Sequence, residues 1–277
     1  MLRVSTLNLL FPQWQGSGAI DLYNGAIQIY RSLPDNNSFV EVPVASSYSL
    51  SITQDVLGLS QISTQLSSAC DIIEQRSPDR IFTIGGDCGV EIAPISFLNR
   101  KHDDMAVVWL DAHGDLNTPS SSPSKHFHGM PLRSLLGEGH SDITEQIFSK
   151  LSPEQIFLVG ARDFDRAEKD FVRQNRIQTF SASLVNKAQE NQILLAIKKS
   201  GFDKIYIHLD LDVVDPEDFS LVTCPAPAGI RINNLKKLLH SLEDNFERVG
   251  ASILEFKPTA NASNGISVVS ELINIIR

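Results

Sequence analysis

The chain has 277 residues, 42% of them apolar, with 24 basic and 33 acidic side chains and a formal net charge of −9. A chain of this size buries about three quarters of its unfolded surface, so it needs no disulfide or metal staple to fold, and its acidic balance leaves no basic field for nucleic acid or an anionic membrane. Its three cysteines, Cys70, Cys88 and Cys224, form no C-x-x-C pair, which points to reduced thiols in a cytoplasm.

The N-terminal segment MLRVSTLNLLFPQWQ has no long apolar run followed by a small-residue cleavage site, so no secretory signal is expected there. No stretch reaches the roughly 18 consecutive apolar residues of a membrane span. Short β-rich runs are predicted at 2–9, 80–84, 105–110, 155–159, 204–209 and 250–255. Helical periodicity predicts helices at 56–76, 186–199, 232–247 and 263–276. This alternation, with apolar runs such as MAVVWL that suit strands buried on both faces, implies an α/β fold: a three-layer α-β-α sandwich around a mostly parallel sheet. A single domain over 1–277 is expected. The Ser- and Pro-rich stretch 116–126 reads as a functional loop directly after a strand.

Ligands of open parallel sheets gather at the carboxyl ends of the strands. There the sequence places GGDCG (85–89), DAHGD (111–115) and DLD (210–212). Residues two apart in an extended chain share a side, so Asp111, His113 and Asp115 are expected to face Asp210 and Asp212 from a second strand. Four carboxylates in one desolvated pocket repel one another and call for counter-charge. Two divalent cations about 4 Å apart supply it and imply metal-assisted hydrolysis. Asp215, before Pro216, reads as a turn former, and His128, Asp163, Asp165 and Glu255 have equally ordinary roles on their own.

Taken in order, GGDCG, DAHGDLNTPSSSPSKHFHGMP, VGARDFD, IHLDLDVVDP and LEFKP resemble the ureohydrolases, the family of arginases, agmatinases and formiminoglutamases, over residues 80–260. The resemblance implies a dimanganese pair whose bridging hydroxide attacks a guanidinium or amidine carbon. It implies Asp111, His113, Asp115, Asp210 and Asp212 as metal ligands, with Asp111 and Asp210 bridging and Asp115 able to orient the hydroxide. His128 corresponds to the proton shuttle and Glu255 to the acid that holds the guanidinium. Asn117 and Ser124 stand where arginases meet an α-carboxylate; Asp165, with Glu168, stands where they meet an α-amino group. HGMPLRSLLGEGH also resembles the bacterial arginase version, so L-arginine is the expected substrate, cleaved to L-ornithine and urea.

The sequence departs from the family in three places. Cys88 stands where a histidine ordinarily ligates the first metal, and a thiolate shifts preference from Mn²⁺ toward Co²⁺, Fe²⁺ or Zn²⁺. The segment 218–230 ends in a way closer to formiminoglutamases, and Lys257 replaces a usual Asn. A formiminoglutamase, an agmatinase or a metal-poor non-catalytic member are therefore the alternatives. The resemblance further implies a homo-oligomer, a trimer or hexamer, acting on a small guanidino or amidine substrate.

Overall fold

The computed structural model describes residues 4–47, 49–259 and 263–277. Among the described residues ten strands occur: β1 (Thr6–Phe11), β2 (Phe39–Glu41), β3 (Ile52–Thr53), β4 (Val56–Leu57), β5 (Arg80–Gly85), β6 (Met105–Leu110), β7 (Ile156–Val159), β8 (Gln178–Phe180), β9 (Lys204–Asp210) and β10 (Glu247–Leu254). Eight form one sheet in the order β2-β1-β5-β10-β9-β6-β7-β8, while β3 and β4 make a separate antiparallel pair. Every ladder within the large sheet is parallel.

Among the described residues ten α-helices accompany them: α1 (Asp21–Ser32), α2 (Leu59–Arg76), α3 (Ile92–Lys101), α4 (Pro131–Leu135), α5 (Ser141–Thr144), α6 (Arg166–Asn175), α7 (Ala182–Asn186), α8 (Asn191–Lys199), α9 (Ile232–Asn245) and α10 (Ser263–Ile276). They divide between two apolar clusters, one on each face of the sheet. Ala106, Val108 and Leu110 of β6 join the cluster that holds α1, α8, α9 and α10. The alternate residues Met105, Val107 and Trp109 join the cluster that holds α2, α3, α4 and α6. The period-two alternation of a strand thus feeds two cores, and the sandwich expected from sequence is the fold observed.

Several boundaries differ from expectation, among them the predicted 250–255 strand, which runs from Glu247 to Leu254. Residues 2 and 3 of the predicted 2–9 strand lie outside the described residues, and β1 begins at Thr6 and ends at Phe11. The predicted 56–76 helix starts at Leu59, because Val56 and Leu57 pair with Ile52 and Thr53 and Gly58 turns with φ +67°. The predicted 186–199 helix is two helices: Ala188 has φ +55°, a left-handed conformation that a continuous helix excludes. The predicted 232–247 helix stops at Asn245, since Glu247 already pairs with Lys204.

Registers set the strand ends level. Leu254 lies opposite Asp210, Leu110 opposite Leu209, and Ile253 opposite Ile84. The loops that leave β5, β10, β9, β6 and β7, five neighbours in the sheet, therefore open onto one edge.

Candidate metal centre and substrate cleft

The loop after β5 is held close to the rest of the molecule. A Cβ on Gly86 would lie 1.8 Å from the Gln13 carbonyl oxygen, so only glycine fits this approach. The buried Asp87 carboxylate accepts from Gln13 Nε2 (2.9 Å), Gly16 N (2.8 Å) and Gly89 N (2.9 Å), which ties the 13–17 segment to this loop. Burial, together with the nearby Glu255 charge, pushes its carboxyl up to about 6. Cys88 is buried, and its Sγ donates to Asp210 Oδ2 over 3.2 Å. Burial, reinforced by Asp210 and Asp115, holds this thiol well above its ordinary value.

The segment after β6 does not stay extended. Asp115 has φ +53°, a left-handed turn, yet His113 and Asp115 line the same cleft, with Asp111 beneath them. Asp111 is fully buried and uses both oxygens: Oδ1 accepts from His113 N (2.7 Å) and Oδ2 from Trp109 Nε1 (3.1 Å). His113 Nδ1 lies 3.0 Å from Asp212 Oδ2 and 3.4 Å from Asp111 Oδ1. Burial opposes a charged imidazole at His113, but these two carboxylates outweigh it and hold its pKa far above the ordinary value. Asp115 Oδ2 is buried and has no hydrogen-bond partner. Burial, then the Asp111 charge, raises its carboxyl well above the usual range.

From β9, Asp210 Oδ1 accepts from Asp212 N (2.7 Å) and Asp212 Oδ1 accepts from Ala112 N (3.0 Å), so the DAHGD and DLD segments brace each other. Two residues before Asp210, and on the same side of the strand, His208 is completely buried. Its Nε2 lies 3.4 Å from Asp111 Oδ2 and its Nδ1 2.8 Å from Glu91 Oε1. Asp215 is the turn former expected, accepting from Glu217 N (3.0 Å) and Gly229 N (2.9 Å).

The cleft mouth comes from the remaining loops. Glu255, directly after β10, has φ +62°, and its Oε1 lies 3.2 Å from His128 Nδ1. Burial disfavours charge on His128, yet the Glu255 contact prevails and raises its pKa. Asn117 Nδ2 donates to Asp165 Oδ2 (2.8 Å), joining the Ser- and Pro-rich loop to the start of α6. Glu168 accepts from Leu116 N (2.9 Å) and Asp165 N (2.8 Å), so both its oxygens brace backbone. Arg162 donates to five carbonyls, those of Gly160, Asp212, Val213, Ala226 and Pro227. Hydrogen bonds to a charged group each contribute about 1.5–3 kcal/mol, so Arg162→Ala is expected to lower stability by about 2–4 kcal/mol, read as an earlier urea-denaturation midpoint.

Together these residues line one cleft of about 220 Å³, whose walls include Cys88, His113, Asp115, Asn117, Ser124, His128, Asp165, Glu168, Asp210, Asp212 and Glu255. Asp111 lies beneath it, fully buried. Among the described residues three sets of donors converge closely enough to hold a metal ion: Asp111, His113 and Asp212; Cys88, Asp111, Asp115 and His208; and Cys88, Asp210 and Glu255. Asp111 belongs to two sets, as a bridging carboxylate must. The unpartnered Asp115 oxygen and the mutually repelling carboxylates fit two divalent cations, and nothing in the donor chemistry opposes them.

Comparison with known proteins gives the ancestry of this arrangement. The description "Arginase family" matches residues 25–274. The chain belongs to the arginase family. It is 31% identical to an arginase of Staphylococcus aureus over 185 residues, 65% of this chain and 61% of that protein, so the match spans less than two thirds of the relative. Against the arginase of Bacillus caldovelox it is 27% identical over 259 residues, 90% of this chain and 86% of the other. The crystal structure of Entamoeba histolytica arginase in complex with L-ornithine superposes with a TM-score of 0.89, covering 99% of both chains at 22% identity, which shows the shared fold.

Sequence reasoning missed His208 and Glu91. Both sit in runs dominated by apolar residues, yet the H-x-D-x-D spacing of 208, 210 and 212 was the available signal, since alternate strand residues share a side. Asp87 and Arg162, which position the loops, lie inside GGDCG and VGARDFD, but neither motif shows which partners they hold.

Proposed function

We propose that this arginase-family chain is a binuclear-metal hydrolase that converts L-arginine and water to L-ornithine and urea. The observation that carries the reading is the sharing of Asp111 between two donor sets at the floor of a cleft whose mouth holds Asn117 and Asp165. Asp111, His113, Asp115, Asp210 and Asp212, with Cys88, would hold two cations of the Mn²⁺ type, which when bound offset the carboxylate charge and acidify water.

The chain's own residues do the rest. Glu255, buried beside the floor, accepts from the N–H groups of a guanidinium and fixes its carbon over the donor sets. Water oxygen bonds to that carbon, the bond to the substrate's δ-nitrogen breaks, and the departing amine needs one proton. His128, in contact with Glu255, is placed to deliver it. At the mouth the Asp165 carboxylate meets an α-amino group, and the second N–H of Asn117 and the Ser124 hydroxyl meet an α-carboxylate. Glu168 sets the position of Asp165 by capping α6. The L-ornithine held by the Entamoeba relative has both α groups.

A formiminoglutamase reading is favoured only by the 218–230 segment, which brings Cys224 to the cleft wall. A product panel separates the readings. Urea from arginine, with much slower release from agmatine, is the expected outcome; formamide from formiminoglutamate in place of urea would overturn the arginine assignment.

A further inference from the structure

The buried imidazole of His208 has no part in the chemistry just described, yet it points at the same floor. It stacks on Trp109 with ring centroids 3.5 Å apart and planes 8° from parallel. Its Nδ1 contacts Glu91 Oε1, and Glu91 is itself fixed by Tyr206 Oη (2.6 Å) and by the Ser252 hydroxyl. A carboxylate acceptor at Nδ1 places the N–H there and leaves Nε2 with its lone pair. That lone pair faces another acceptor, Asp111 Oδ2, at 3.4 Å, with Cys88 Sγ 3.9 Å away. A proton on Nε2 would satisfy that pair alone, but the Cys88 thiol and the Asp115 carboxylate converge on the same point, and four such donor atoms within 4.8 Å of one another make a ligand set for a cation. Ligands about 2.1 Å from a common metal lie about 3–3.6 Å apart, which is the spacing found.

We propose that His208 is a metal ligand of this chain, joining Asp111, Asp115 and Cys88 at one of the two positions, with Glu91 as the positioning residue that fixes its tautomer. The inference rests on the metal-dependent reading above and adds to it. It resolves the oddity of Cys88, because the imidazole for this position comes from β9 and not from the loop after β5. The Glu91–His208–metal relay is the arrangement by which proteins ordinarily orient and strengthen a histidine ligand.

The test uses the full-length protein, stripped with chelator, labelled with ¹⁵N-histidine and titrated with Zn²⁺. The His208 Nε2 resonance, assigned by its loss in His208→Gln, is expected to move on saturation while Nδ1 keeps its proton. In parallel, Glu91→Gln is expected to weaken Zn²⁺ binding by about 10–100-fold, measured calorimetrically, and His208→Gln to retain one metal per chain in place of two. Bound Zn²⁺ with both His208 nitrogens unmoved overturns the ligand assignment and leaves the metal-dependent reading standing. Failure to bind Zn²⁺, Mn²⁺ or Co²⁺ at all overturns both. The resonance is read in the unsubstituted protein and its assignment is repeated from through-space contacts to the Trp109 ring stacked on it, so a variant that does not fold leaves the decisive result intact.

Discussion

Asp111→Asn is expected to abolish hydrolysis and to reduce bound metal to less than one ion per chain. The substitution keeps the side-chain volume and the bond from His113 N, so the buried site stays filled. What it removes is the acceptor for Trp109 Nε1 and the charge shared by two donor sets, one reaching His113 and Asp212 and the other Cys88, Asp115 and His208. Metal assistance contributes several kcal/mol to such reactions, and at about 1.4 kcal/mol per factor of ten the loss is roughly 10³-fold or more. Turnover with arginine and elemental analysis on the same sample check it. Unchanged turnover would mean that the floor of the cleft is not the reacting centre.

The second large effect is an inversion of pH stability between the metal-free and metal-loaded protein. Burial, and then neighbouring carboxylates, push Asp212 up to about 6 and Asp115 and Asp210 higher still. The folded chain therefore keeps protons that the unfolded chain, with aspartates near 3.8, has released. Stability from these groups is fully present below about pH 4 and is lost as pH rises through about 6 and beyond. The raised pKa values of His128 and His208 act in the same direction, their contribution being complete below 6.5 and lost above the folded values. Asp111, held low by His113 and His208 against the opposing effect of burial, acts in the opposite sense, but its contribution is complete well below pH 5. Each excess proton costs about 1.4 kcal/mol per pH unit.

The chelated protein is accordingly expected to melt at lower temperature at pH 8 than at pH 5. With Mn²⁺ the order reverses, because the ligands must shed those protons to bind and a metal at 1,000 times its Kd adds about 4 kcal/mol. Thermal melts at four pH values, with chelator and with metal, test both halves. A chelated protein that grows more stable with pH would show that the carboxylates do not hold protons in the fold.

Much of this architecture could be read before any coordinates, because strands buried on both faces leave unmistakable apolar runs and the acids that end them mark the ligand edge. Asp210 and Asp212 lie in the cleft for that reason, while His128 and Glu255, also in its walls, were legible only through the family resemblance. The failures have equally local causes. The break at Ala188 depends on one left-handed residue inside an otherwise helical pattern. The turn at Asp115 replaces the extended backbone that the sequence presents, although its side chain still lines the cleft. His208 and Glu91 are polar residues paired with each other inside the core, and pairing across 117 positions is a tertiary fact. Glu168 lines the cleft, and its bonds from the Leu116 and Asp165 amides are a demand of the helix start that the motif does not display.

The most direct test of the central claim is metal content of the purified protein, measured together with urea release from L-arginine after incubation with Mn²⁺, Co²⁺, Fe²⁺, Ni²⁺ or Zn²⁺. Two metals per chain and urea as product are the predicted result. One metal or none, with no hydrolysis of arginine, agmatine or formiminoglutamate under any of these ions, would contradict it.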